Sequence, residues 1–98
     1  VLPDAVAVIN PKLKSPESGL SILSGAGVAL KFAQALAMEE GVPFSNDDLL
    51  QLYDLAALGT LADVVPLTRE NRVILKEGLK SIQDSSRPGI RALKESQA

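Results

Sequence analysis

Ala5-Val6-Ala7-Val8-Ile9 is continuously apolar and rich in β-branched residues, with Pro3 and Asp4 before it and Asn10 and Pro11 after it. A short unbroken apolar run between turn residues predicts a strand buried on both faces, as in a parallel sheet, because a half-exposed strand would alternate. One strand cannot make a sheet, since its N–H and C=O groups need neighbours. Its partner strands are therefore expected outside these 98 residues. The fold class that follows is α/β, carried here by one buried strand followed by four helices and predominantly helical as it stands.

The helices are read from what comes next. Residues 11–23, with Pro11, Ser15, Pro16, Ser18 and Gly19, form a polar loop. Ser24 suits a helix N-cap, and Val28, Phe32, Ala35 and Leu36 recur at helical spacing until Gly41 and Pro43, so a helix is expected over about 25–40. Ser45 or Asn46 caps a second, with Asp47 and Asp48 in its first turn, a stripe of Leu49, Leu52, Leu55 and Ala56, and an end near Gly59. Thr68 caps a third, whose core stripe is Ile74, Leu75, Gly78, Leu79 and Ile82. Pro88 opens a last short helix carrying Ile90 and Leu93.

Composition narrows the chemistry. The chain suits one small domain or a piece of a larger one, and a core without aromatic bulk, at 46% apolar and 3% aromatic residues. Cysteine is absent, which removes disulfides, thiolate metal sites and a thiol nucleophile and makes a cytoplasmic setting the expectation. Apolar runs are broken by Lys31, Gln34, Asp54 and Asp63, well short of the ~20 residues a membrane span needs, so no membrane partner is expected. Histidine is absent too, and with it the usual general base and the commonest transition-metal ligand. The net charge of −2 is uneven: residues 1–67 carry three bases and eight acids, residues 68–98 seven bases and four acids. The basic end is the one suited to an anionic partner.

Few residues can carry chemistry. Asp63 stands within Leu61, Ala62, Val64, Val65 and Pro66, and an unpaired carboxylate in apolar surroundings would cost several kcal/mol. It should therefore have a metal, a basic side chain or backbone N–H groups as partner; the plainer alternative is a capping or turn aspartate. Asp54 faces the same choice inside its helix, where a buried hydrogen bond is favoured. Ser24 and Gly25 open a helix whose free N–H groups could meet phosphate, although Lys31 lacks the spacing of a P-loop and close packing of the glycines explains them as well. Arg69, Arg72, Lys76 and Lys80 share one side of the third helix, within about 80°. That stripe could follow a nucleic-acid backbone or simply be solvated. No aromatic residues are interleaved to stack on bases.

The stretches Leu2–Lys12, Ser24–Lys31, Glu70-Asn71-Arg72, Arg87–Leu93 and above all Asp54-Leu55-Ala56-Ala57-Leu58-Gly59-Thr60-Leu61-Ala62-Asp63-Val64-Val65-Pro66-Leu67 resemble RecJ-type single-stranded-DNA exonucleases of the DHH phosphoesterase family. The resemblance implies a partial DHH-type domain over residues 1–98, its C-terminal portion, beginning just after the family's histidine pair. It implies a parent that hydrolyses single-stranded DNA from the 5′ end with manganese or magnesium, two ions about 3.5 to 4 Å apart clamping the phosphate. Asp63 falls at the last aspartate of the Gly-Thr-x-Ala-Asp-Val motif, which makes it a metal ligand. The earlier aspartates, the histidine pair and the C-terminal DHH-associated domain are not in this sequence, and the loop Lys14–Leu23 departs from the family pattern. The isolated chain is thus expected to be inactive and to bind no metal tightly. The alternatives are a non-catalytic packing or docking segment, or part of a DHH phosphoesterase acting on short oligonucleotides or dinucleotides.

Overall fold

A computed structural model of the chain describes residues 3–13 and 20–96. They form two single 3-10 turns, Pro11–Leu13 and Leu20–Ile22, and then five α-helices: α1 (Gly25–Met38), α2 (Asn46–Leu50), α3 (Tyr53–Ala62), α4 (Arg69–Gln83) and α5 (Pro88–Ser96). The loop expected over residues 11–23 is thus described at its two ends, while residues 14–19 lie outside the described residues.

The buried strand does not form among the described residues. Residues 3–10 are exposed, Val6 completely, and the chain bends at Asp4 to Val6 before running irregularly to Pro11. The reason is the one that made the run incomplete from the start: an extended segment with no second strand has nothing to pair its backbone or cover its side chains.

The helical boundaries follow local chemistry closely. Ser24 caps α1, its Oγ accepting the Gly27 N–H at 3.0 Å. Ser45 opens α2 with a reciprocal box, its Oγ taking the Asp48 N–H and Asp48 taking the Ser45 N–H. Pro88 stands first in α5, where its missing N–H costs nothing. Thr68 precedes α4 but caps it through no side-chain bond.

The single helix expected from Ser45 to Gly59 is two. At Gln51 and Leu52 the backbone stays right-handed but tightens, with the Leu52 N–H on the Leu49 carbonyl. Leu55 turns its N–H to the carboxylate of Asp54 at 2.7 Å, and the Gln51 carbonyl takes the guanidinium of Arg87 at 2.7 Å instead. A long-range partner has replaced an intrahelical bond, and α3 then continues one turn past Gly59 to Ala62.

Helix α3 lies between α4 on one side and α1 on the other. Both crossings are set by glycine. A methyl group at Gly78 would strike Ala57 and stand 2.6 Å from the Tyr53 carbonyl oxygen, and one at Gly59 would strike Ala26. The core is Leu23, Leu30, Ala56 and Ile74, with Val28, Leu49, Leu52 and Tyr53 packed around it. On α4 the buried positions are Asn71, Ile74 and Gly78, whereas Leu79, expected inside, is about half exposed at the edge of the stripe. On α1 the expected stripe is used only at Val28, which packs against the core. Gly27 and Leu30 are buried, while Phe32, Ala35 and Leu36 point away from the other helices.

Candidate functional site

Asp63 is the C-cap of α3. The Asp63 N–H still makes a helical bond to the Gly59 carbonyl at 3.1 Å, and the helix ends because the next residue, Val64, takes φ 53°, the left-handed conformation usually reserved for glycine at this place. For a β-branched residue that conformation is a genuine outlier, costing roughly 1–2 kcal/mol. A second left-handed residue, Arg69 with φ 49°, opens α4. The short link from Val64 to Thr68 is therefore strained at both ends.

The surroundings of Asp63 differ from those its apolar neighbours suggested. The residue is exposed, as are Ala62, Val64 and Pro66. Its carboxylate has no hydrogen bond or ion pair among the described residues, so no burial penalty calls for a partner here. Of the plainer alternative, the N-cap fails because the residue ends a helix and its side chain caps nothing, while the turn at the helix-to-loop junction is where Asp63 stands. A free carboxylate at a helix C-terminus adds negative charge to the negative end of the helix dipole. Such a place disfavours an acid for stability and favours a cation beside it. Hard carboxylate oxygen is the donor that manganese and magnesium take, so Asp63 fits one position in such a ligand set. It cannot make a set alone: among the described residues no three acidic or imidazole side chains converge.

The remaining candidates separate. Ser24 is buried, and its Oγ is engaged twice, by the Gly27 N–H and by Thr60 Oγ1 at 3.3 Å. Its capacity for an outside phosphate is used inside the chain. Gly25 is exposed, with open space where a side chain would be. Arg69, Arg72, Lys76 and Lys80 are all exposed along α4, and only Lys80 meets an acid, Glu77, at 3.7 Å. Three of the four cations thus remain unneutralised by any carboxylate among the described residues.

Asp54 resolves as a structural carboxylate. It is 4% exposed and accepts from Leu55 N, from Ser85 Oγ at 2.8 Å, and from Arg87 Nε at 3.0 and 3.2 Å. This pair forms one wall of an open cleft of about 540 Å³ between the start of α3 and the end of α4. Nothing in the sequence pairs residues 54 and 87, which lie thirty-three apart. Asn71 was missed in the sequence, although its spacing offers a signal: it stands three residues before Ile74 and seven before Gly78, on the side of α4 that is buried. It is fully buried. Its Nδ2 donates to the Ile22 carbonyl at 2.9 Å and to the Pro66 carbonyl at 2.8 Å.

No family model and no solved structure matches the chain. Curated relatives do. The single-stranded-DNA-specific exonuclease RecJ of Salmonella typhimurium is 43% identical over 96% of this chain and 18% of its own length. The Bacillus subtilis protein of the same name is 44% identical over 94% of the chain and 11% of itself. That of Thermus thermophilus is 47% identical over 74% of the chain and 10% of itself. The chain therefore spans less than a fifth of the length of these relatives, and over that span it is a segment of the RecJ family.

Proposed function

We propose that this segment belongs to a metal-dependent exonuclease that degrades single-stranded DNA from the 5′ end, and that Asp63 is its contribution to the metal site. The observation that carries the reading is the 43–44% identity to RecJ exonucleases across 94–96% of the chain. The free carboxylate at the end of α3 supports it, being a donor without an internal partner. Bound manganese or magnesium would supply an activated water and offset the charge on the scissile phosphate. The chain's own part is to hold Asp63 at a fixed helix end, with the exposed cations Arg69, Arg72 and Lys76 on the adjoining helix available to a DNA backbone.

The other ligands come from the remainder of a DHH-type domain, in which residues 5–9 pair as a strand of the sheet. The DHH-associated domain completes the substrate path. Alone, the 98 residues neither cleave DNA nor hold a metal tightly. No helix among the described residues is long and apolar enough to cross a membrane, and a cytoplasmic setting agrees with DNA as substrate.

Asp63→Asn in a full-length protein carrying this segment tests the reading. Asn preserves size and one acceptor oxygen but loses the charge that holds the cation, so hydrolysis should nearly vanish. Melting temperature should hold or rise, because the change removes a negative charge from the helix C-terminus. Full hydrolysis by this variant at ordinary manganese concentration would return Asp63 to a structural role. Assays on dinucleotides and short oligoribonucleotides beside long single strands would separate the exonuclease from a small-substrate phosphoesterase.

A further inference from the structure

We infer that Asn71 is a positioning residue, holding the strained link after Asp63 in the one conformation that aims the Asp63 carboxylate; the inference rests on the assignment of Asp63 as a ligand. Three observations meet at this side chain. First, Asn71 is completely buried, and its Nδ2 bridges two carbonyls from distant parts of the chain, Ile22 before α1 and Pro66 after α3. Second, its Oδ1 is buried without a partner among the described residues, so every bond the side chain makes is a donation. Turning the amide over would set an oxygen against two carbonyl oxygens, and the orientation is thereby fixed. Third, the link it grips begins at Val64 in the left-handed region, directly after Asp63, and ends at Arg69 in the same region. Strained backbone persists only where its surroundings over-determine it.

The grip is shared with the other end of the motif. Thr60, fully buried one turn before Asp63, meets Ser24 Oγ at 3.3 Å, and Ser24 lies two residues beyond Ile22. Residues 22–24 are thus tied both to the last turn of α3 and, through Asn71, to Pro66. Asp63 sits between the two ties on an otherwise exposed stretch. A carboxylate that must complete a ligand set supplied by other segments gains affinity from being held before the ion arrives.

The test compares three variants of the full-length protein, each stripped of metal and titrated with manganese by calorimetry in the absence of DNA, with melting temperature and amide exchange at residues 64–67 measured alongside. Asn71→Asp is nearly isosteric but presents oxygens to both carbonyls. It should speed exchange at residues 64–67 and weaken manganese binding by about tenfold or more, in the range for loss of an orienting partner. Saturating manganese should restore hydrolysis in this variant but not in Asp63→Asn. Should Asn71→Asp fail to fold, Asn71→Ser asks the same question, because its single hydroxyl replaces two donations with one at most and adds no charge; faster exchange at residues 64–67 and weaker manganese binding are again the expected results. A folded Asn71→Asp or Asn71→Ser protein that binds manganese as tightly as the parent, beside an Asp63→Asn protein that does not, overturns the positioning role alone. Unaltered manganese binding by Asp63→Asn overturns the ligand assignment itself and the positioning role with it.

Discussion

Helices α1 and α4 are nearly equal in length and unlike in every other respect. Helix α1 carries one charged residue, Lys31, among fourteen, and α4 carries six among fifteen. α4 presents apolar residues to α3 and charges to solvent, the pattern of a helix with one buried side. α1 is apolar but for Lys31 and Gln34; on α1 and α3 together, Phe32, Leu36, Met38, Leu55 and Leu61 remain exposed after the helices have packed. A helix with so little polar surface suits the interior of something larger. Both halves keep exposed apolar side chains, Val73 and Leu79 on α4 among them, but only α4 sets a row of charges beside them, so α1 has the greater need of covering surface. The chain's span of 11–18% of its Salmonella and Bacillus relatives leaves ample protein to supply it.

The sharpest way to break that comparison is to make both helices polar where they are exposed. Phe32→Ser with Leu36→Ser should cost the 98-residue chain about 1 kcal/mol, since both side chains are still more than half covered. In a full-length protein carrying the segment the same pair should cost about 3 kcal/mol or more if the rest of the protein covers this face, which is the expectation under test. Val73→Ser with Leu79→Ser on α4 should cost little in both. Urea denaturation of the four proteins reads the difference. Equal, small effects of the α1 pair in both lengths would show that nothing covers this face.

Next in size is the crossing that joins the two halves. Gly78→Ala drives a methyl into the Ala57 methyl and the Tyr53 carbonyl of α3, neither of which can swing aside without moving the backbone. A loss of roughly 1–3 kcal/mol is expected. Gly89→Ala, with open space around it on α5, should be harmless and is the control. Comparable in size is Arg87→Ala, which strands the buried Asp54 carboxylate and frees the Gln51 carbonyl together. Breaking a buried pair costs about 3–5 kcal/mol, but Arg87 is partly solvated, and a thermal melt should show about 2.

What could be read in advance follows the same division. Caps at Ser24, Ser45 and Pro88 were legible because each acts within four residues of its own position. The amphipathic stripe of α4 was legible because charge marks its outer face. On α1 no charge marks an outer face, and the stripe through Phe32 and Leu36 was read as inward when the glycine-lined side is the one that packs. The strand at residues 5–9 was read from composition that suits a sheet these residues do not contain. Asp63 was read as buried because its neighbours are apolar, yet the chain ends its helix there and turns those neighbours outward. The break at Gln51 depends on Arg87 and could not be seen locally.

The smallest expected effect lies on the boundary between the two halves. Lys31, the single charge of α1, meets Glu70 in the first turn of α4 at 2.7 Å, with both side chains about one-third exposed. Its length and partial burial place it above the ordinary surface pair, and its two long side chains must still be ordered to make it. Coupling of about 0.5 kcal/mol is expected. A double-mutant cycle with Lys31→Met and Glu70→Gln isolates that term, since each single variant also changes its own helix and the cycle cancels those changes. Glu70 additionally favours the positive end of α4, so Glu70→Gln alone should cost more than Lys31→Met. In 1 M salt, where screening acts over about 3 Å, the coupling should shrink markedly. Coupling above 1.5 kcal/mol that survived such salt would mean that Lys31 joins the halves as firmly as the glycine crossings do, and that α1 is less dependent on outside cover than its apolar surface implies.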